Sequence, residues 1–288
     1  MNTRLSQRFC AALLAIALVL CAIPAMAEGT FNLLLVGTDS YQPDSAGRSD
    51  AMILAQITPE TGDIRLVSFL RDLYVPIPNH GKTRLNAAYF YGGAELLTAT
   101  LQNNFGVRVD RTMAVNFSLM ADLIDQIGGV DVEVTEQERT QLNSILRFYN
   151  KKSGVAQEDG LLSSAGEQHL NGKQALSFSR IRKIDSDFQR TSRQHRVLLG
   201  ILKQLTHMDF VSLAALAATN MNKVTTDLRL EDINALLPIV MNAANLRLRS
   251  THVPFDGTYE DQTINGMMVL VPNLSRNKKL IGEFLTQE

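Results

Sequence analysis

FNLLLVGTD, residues 31–39, with AMILAQI, residues 51–57, and IRLVSFL, residues 64–70, decides the architecture. The first segment is dominated by apolar side chains at odd and even positions alike. That predicts a central strand buried on both faces. It stops at Gly37-Thr38-Asp39. The second and third segments read as strands joined by Pro59-Glu60-Thr61-Gly62, a hairpin turn. With Thr58 facing Asp63, Asp50 falls opposite Arg71 at the open end of the hairpin.

Working outward, strands and helices alternate. Residues 76–82 read as a loop. A helix is predicted over 93–105, with Leu97, Leu101 and Phe105 on one stripe and Gly106 as the stop. A strand over 112–117 leads into a helix capped by Ser118, which carries Leu119, Leu123, Ile124 and Ile127 and is stopped by Gly128-Gly129. A strand follows over 130–134. Residues 135–166 are polar and uneven, with one helix near Ile145, and read as an insertion or lid. Asn171 caps a short helix, and residues 176–182 read as a strand. Helices are predicted over 188–207, 210–221, 231–244 and 274–285, and strands over 246–254 and 267–271. The pattern describes a single-domain α/β/α sandwich, a mixed central sheet flanked by helices.

The N-terminus is of another kind. Arg4 and Arg8 precede an apolar run over 9–23, then Pro24 and Ala25-Met26-Ala27. This is the pattern of a secretory signal cleaved before Glu28, with an uncleaved anchor as the alternative. Residues 28–288 are then the functional domain, placed outside the cytoplasm, secreted or held at the envelope. The chain has 28 basic and 29 acidic residues, and residues 1–27 hold two of the arginines and no acid. A slightly acidic remainder excludes general nucleic-acid binding. Both cysteines, Cys10 and Cys21, lie in the signal. The domain therefore has no disulfide, thiol nucleophile or thiolate metal site.

Charge concentrates in SFSRIRKIDSDFQRTSRQHR, residues 177–196. Read as a strand, 176–182 puts Leu176, Phe178, Arg180 and Arg182 on one side, apolar first and cationic at its exit. Asp187 is suited to cap the helix that follows. On it Arg190, Arg193, Gln194 and Val197 share a face. Guanidinium forks at a strand exit and on the next helical turn suit a phosphate or pyrophosphate. A solvated basic face or a nucleic-acid patch is the alternative. Asp39 ends the first strand, where open α/β sheets bind ligands, and Asp50 lies beside Arg71. Two carboxylates next to a phosphate site suit magnesium, which takes one or two carboxylates plus phosphate oxygens. Taken singly, Asp39 reads as a turn residue and Asp50–Arg71 as an ion pair. No phosphate-binding Gly-rich loop with Lys-Ser or Lys-Thr occurs, and the five histidines lack metal spacing. Tyr89, Phe90 and Tyr91 suit packing, or a sugar or lipid site.

GTDS, GRSDAMIL, LVSFLRDLYVPIP, RLNAAYFYGGAELL, VNFSLMADLIDQIGGVDVEV, HLNGKQALSFSRIRK and DFQRTSRQ occur in that order. Together they resemble the LytR-CpsA-Psr family of bacterial envelope proteins. The resemblance covers essentially the whole of residues 28–288. It implies an α/β/α fold and an extracytoplasmic phosphotransferase. The donor would be a glycopolymer on undecaprenyl pyrophosphate at the outer face of the membrane, and the acceptor peptidoglycan. It implies that Asp39 and Asp50 hold Mg2+, and that Arg71, Arg180, Arg182, Arg190 and Arg193 bind the pyrophosphate. Arg48, Arg84, Asn86, Asp187 and Gln194 match positions around the pocket, and the lipid tail is implied to lie in an apolar channel between sheet and helices. Leu70, Ala87 and Ser192 depart from the residues usual at their positions. A lipid-pyrophosphate hydrolase and a non-catalytic envelope binding protein are the alternative functions.

Overall fold

The computed structural model describes residues 29–39, 47–182, 187–229, 232 and 247–287. The signal expected over 1–27 and nearly all of the helix expected over 231–244 lie outside them. Among the described residues the main sheet has six strands in the order β10-β3-β2-β1-β6-β9. They are β1 (Phe31–Thr38), β2 (Ser49–Thr58), β3 (Asp63–Phe69), β6 (Arg111–Asn116), β9 (Thr225–Thr226) and β10 (Arg247–Val253). β1 is antiparallel to β2 and parallel to β6, so the sheet is mixed, as expected. Thr58 pairs with Asp63 and the register runs unbroken to Ile53–Ser68, as read from the turn.

β1 is covered on both sides, and period two sorts its residues. Leu34 and Val36 pack with Met52, Leu54, Val67 and Phe69 against helices α1 (Asn86–Phe105) and α7 (Leu274–Thr286). Phe31 and Leu33 join Ile53, Ile57 and Leu66 on the opposite face, with Met113 and Leu198 packed against them. A further core unites α2 (Phe117–Gln126), α3 (Glu136–Lys152), α4 (Gly172–Ser179) and α5 (Asp187–Thr206) with the ribbon of β7 (Val130–Val134) and β8 (Gly166–Leu170). Each fully buried Leu, Ile or Phe in these clusters contributes about 1.5–3 kcal/mol. The remaining elements are the hairpins β4 (Tyr74–Ile77)–β5 (Gly81–Arg84) and β11 (Tyr259–Ile264)–β12 (Met267–Pro272), and helix α6 (Phe210–Asn220).

Several elements differ from their sequence reading. Residues 176–182 are not a strand: α4 runs to Ser179 and Arg180 is its C-cap. A capping box starts it, in which the Asn171 side chain accepts from the Gln174 amide at 2.9 Å and Gln174 accepts from the Asn171 amide at 2.8 Å. Ala175 and Phe178 then fall three apart on the buried face, a helical spacing that a short alternation concealed. Asn116, not Ser118, caps α2, accepting from the Leu119 amide at 2.8 Å. The polar stretch read as an insertion or lid contains α3, whose Leu142 and Leu146 are core residues. Residues 76–82 form most of a hairpin rather than a loop. The helix expected from residue 93 begins at Asn86 and is broken at Gly92–Gly93, where Gly93 has φ +62°.

Two irregularities position the site. Gly37 pairs with Ala51 but Thr38 pairs with Ser49, so Asp50 is the extra residue of a β-bulge. Bulges re-aim side chains next to ligand sites. The other is the approach of α4 to α2, where a Cβ on Gly172 would lie 2.0 Å from the Ala121 carbonyl oxygen.

Candidate active site

The bulge residue Asp50 is the hub. Its Oδ1 accepts from Arg71 Nη1 at 3.0 Å, and its Oδ2 from Arg182 Nη2 at 2.9 Å. Its backbone oxygen accepts from Arg190 Nη2 at 2.5 Å. Three guanidinium groups from three parts of the chain meet at one aspartate, two on its carboxylate and one on its backbone oxygen, and its side chain is 12% exposed. Burial alone would raise the Asp50 pKa. The charges of Arg182, Arg190 and Arg71 outweigh it and hold the carboxyl below its usual range. The excess of positive charge suits an incoming dianion.

A second tier supports Arg71. Its Nε donates to Asp72 at 3.2 Å, and Arg84 forms an ion pair with the other oxygen of Asp72 at 3.1 Å. The Asn86 amide donates to the Arg71 carbonyl at 3.2 Å, so α1 begins on the backbone of this arginine. Asp39 and Arg48 close the loop between β1 and β2. The Arg48 amide donates to Asp39 Oδ1 at 2.8 Å, and the Asp39 amide donates to the Arg48 carbonyl at 3.1 Å. Asp39 and Asp50 therefore sit at the same end of neighbouring strands, one at a loop closure and the other in a bulge.

Arg180 and Arg193 behave differently from each other. The Arg180 guanidinium lies 4.4 Å from the ring centre of Phe117 and 5.6 Å from that of Tyr149, stacked between α2 and α3. Arg193 does not join the Asp50 group. Its side chain is 1% exposed, faces Glu138 at 3.4 Å and donates to the Ile181 carbonyl at 3.0 Å. Glu138 also receives Arg196. Burial would raise the Glu138 pKa, but bonds from Arg196 and the Thr135 amide outweigh it and the carboxyl stays low. Gln194 lies with Asp50, Arg71 and Arg190 around a small cleft.

Behind this polar cluster is a cavity of about 320 Å³ between the Leu33 face of the sheet and helices α2, α4, α5 and α6. Leu35, Ile53, Met113, Leu123, Ile127, Leu198 and Ile201 line it. Its polar lining includes Asp50, Arg180, Arg182, Arg190 and Gln194. An apolar hole with a cationic rim fits an amphiphile with a long apolar chain and an anionic head.

Sequence reasoning brought Asp50, Arg71, Arg182 and Arg190 together, and the structure does the same. It missed Glu138, although Thr-x-x-Glu at 135–138 is a capping-box signature and the Thr135–Glu138 box is formed. It also missed the aromatic faces of Phe117 and Tyr149, for which the sequence carries no signal.

The donor set also bears on a metal. Among the described residues no group of three acidic, histidine or cysteine side chains could hold an ion. Two carboxylates at adjacent strand ends still fit magnesium if phosphate oxygens complete its shell, since magnesium is commonly bound through one or two carboxylates plus phosphates.

The fold and site together are a mixed α/β sandwich with a cationic rim on an apolar cavity. The chain belongs to the LytR_cpsA_psr family, whose profile matches residues 18–283. A polyisoprenyl-teichoic acid–peptidoglycan teichoic acid transferase, TagU of Enterococcus faecalis, is 33% identical over 213 residues, covering 72% of this chain and 64% of that protein. TagV of Bacillus subtilis, of the same description, is 28% identical over 221 residues, covering 74% of this chain and 54% of that protein. The chain thus spans about half to two thirds of the length of these curated relatives. A solved structure described as TagT bound to LI-WTA superposes with a TM-score of 0.71 at 26% identity, covering 91% of this chain and 92% of that one.

Proposed function

We infer that the protein is an extracytoplasmic phosphotransferase. It moves a glycopolymer, with its attached phosphate, from an undecaprenyl-pyrophosphate carrier to peptidoglycan. The observation that carries this is the junction of the arginine cluster with the apolar cavity. A pyrophosphate held at the rim would place a polyprenyl chain inward and a glycan outward. The names of the relatives, transferases from a polyisoprenyl-linked teichoic acid to peptidoglycan, support the same direction.

The reaction follows from the charge placement. A sugar hydroxyl attacks the phosphorus nearest the glycan, the bond to the bridging oxygen breaks, and polyprenyl phosphate leaves. Arg71, Arg182 and Arg190 leave Asp50 for the phosphate oxygens and stabilise charge as it builds. The hydroxyl proton goes to a carboxylate at the strand ends, Asp39 or Asp50. Asp39 and Asp50 would hold magnesium, which would supply further charge neutralisation at the phosphates. Arg180 is held by Phe117 and Tyr149 where it meets the same head group.

The test is incubation with a polyprenyl-pyrophosphate-linked glycan and peptidoglycan fragments, with and without magnesium. Covalently joined product together with polyprenyl phosphate is expected. Release of free glycan phosphate without attachment means a hydrolase, and binding without turnover means a non-catalytic protein.

A further inference from the structure

Outside the cavity mouth, α3 carries an aromatic pair that the transfer chemistry does not use directly. The Tyr149 ring is stacked near Arg180, whose guanidinium also covers Phe117 on the cavity wall. The Phe148 ring meets Tyr149 edge-on at 5.7 Å, and Phe148 is 65% exposed. Phe117, Arg180, Tyr149 and Phe148 therefore follow one another from the wall of the cavity to open solvent, with the last ring set edge-on to Tyr149. α3 is fixed by its capping box, and Arg147 pairs with Glu158 through two hydrogen bonds of 3.0 Å beside Phe148.

Sugar rings present apolar C–H faces that stack on aromatic rings. With the apolar chain in the cavity and the pyrophosphate on the arginines, the first sugars of the donor emerge at the rim, where Arg180 and Tyr149 lie. We propose that Tyr149 and Phe148 form a saccharide platform that receives the sugar rings next to the pyrophosphate. This rests on the donor reading above, and adds to it which side of the rim the glycan leaves by.

Phe148 is the residue to change, because it stands one ring away from Arg180 and is exposed enough that truncation costs little stability. Affinity is measured for polyprenyl pyrophosphate carrying a disaccharide and for the same polyprenyl pyrophosphate without sugar. Phe148→Ala should weaken binding of the sugar-bearing lipid by about threefold to tenfold, the scale of one lost aromatic contact. It should leave the sugar-free lipid unchanged, and Phe148→Tyr should restore the loss. Equal weakening of both lipids, or of neither, overturns the platform while leaving the donor reading intact. Failure of the wild-type protein to bind the sugar-free lipid overturns the donor reading itself.

Discussion

At the scale of single residues, the charge cluster is the part most open to test. Each charge-assisted hydrogen bond to the head group is worth about 1.5–3 kcal/mol. Arg182→Ala should therefore weaken binding of polyprenyl pyrophosphate by about one to two orders of magnitude, with thermal unfolding nearly unchanged because the side chain is 42% exposed. Arg182→Lys should recover little, since an ammonium cannot supply the planar fork. His195 makes a different prediction. It is buried against Ser68 Oγ at 2.5 Å, and burial, with a smaller contribution from the charge of His252, lowers its pKa to about 4. The folded protein keeps His195 neutral while the unfolded chain protonates it near pH 6.5, so between those values the unfolded state binds more protons and stability rises with pH. Lowering the pH from 7 to 5 should cost on the order of 2 kcal/mol through this residue. Urea midpoints at both pH values should show a smaller drop in His195→Gln than in wild type.

At the scale of elements, what was legible depended on how local the signal was. The β2–β3 hairpin was readable because its turn fixes the pairing, and with it the meeting of Asp50 and Arg71. α4 was misread because Leu176 and Phe178 alternate over too few residues to separate period two from a helix. Only the Asn171–Gln174 box distinguishes them. The bulge at Asp50 left no trace, since an extra residue between two strands looks like any other strand residue. Glu138 shows what such tertiary information adds. It closes the N-terminal capping box of α3 and also balances Arg193, which in turn holds the Ile181 carbonyl between Arg180 and Arg182. Glu138→Ala removes the carboxylate that Arg193 and Arg196 face, and removing one partner of a buried pair costs about 3–5 kcal/mol. A drop of that size in denaturant stability is expected, together with weaker head-group binding as the Arg180–Arg182 segment loosens. Gly172→Ala should be comparably damaging to stability, because the new methyl meets the backbone of α2 rather than a movable side chain.

At the scale of the whole molecule, stability rests, among the described residues, on three apolar clusters, two on the main sheet and one on the β7–β8 ribbon and its helices. Residues 28–288 contain no cysteine, so the melting temperature of that segment should not respond to a reductant. A shift on adding one would contradict a fold held by packing alone. The sheet also decides what the arginines do before any ligand arrives. With Asp50 gripping Arg71 and Arg182, donor binding is an exchange of anions: the arriving phosphates take over the guanidiniums and set a carboxylate loose beside themselves. On the proposed function the protein is then latent when empty, because the arriving phosphates uncover the Asp50 carboxylate. Such a latch has a measurable signature. Asp50→Asn should hold the lipid pyrophosphate more tightly than wild type, having no carboxylate to displace, and should turn it over more slowly. Weaker binding in this variant would mean that Asp50 positions the arginines rather than occupying them, and that the empty protein is already armed.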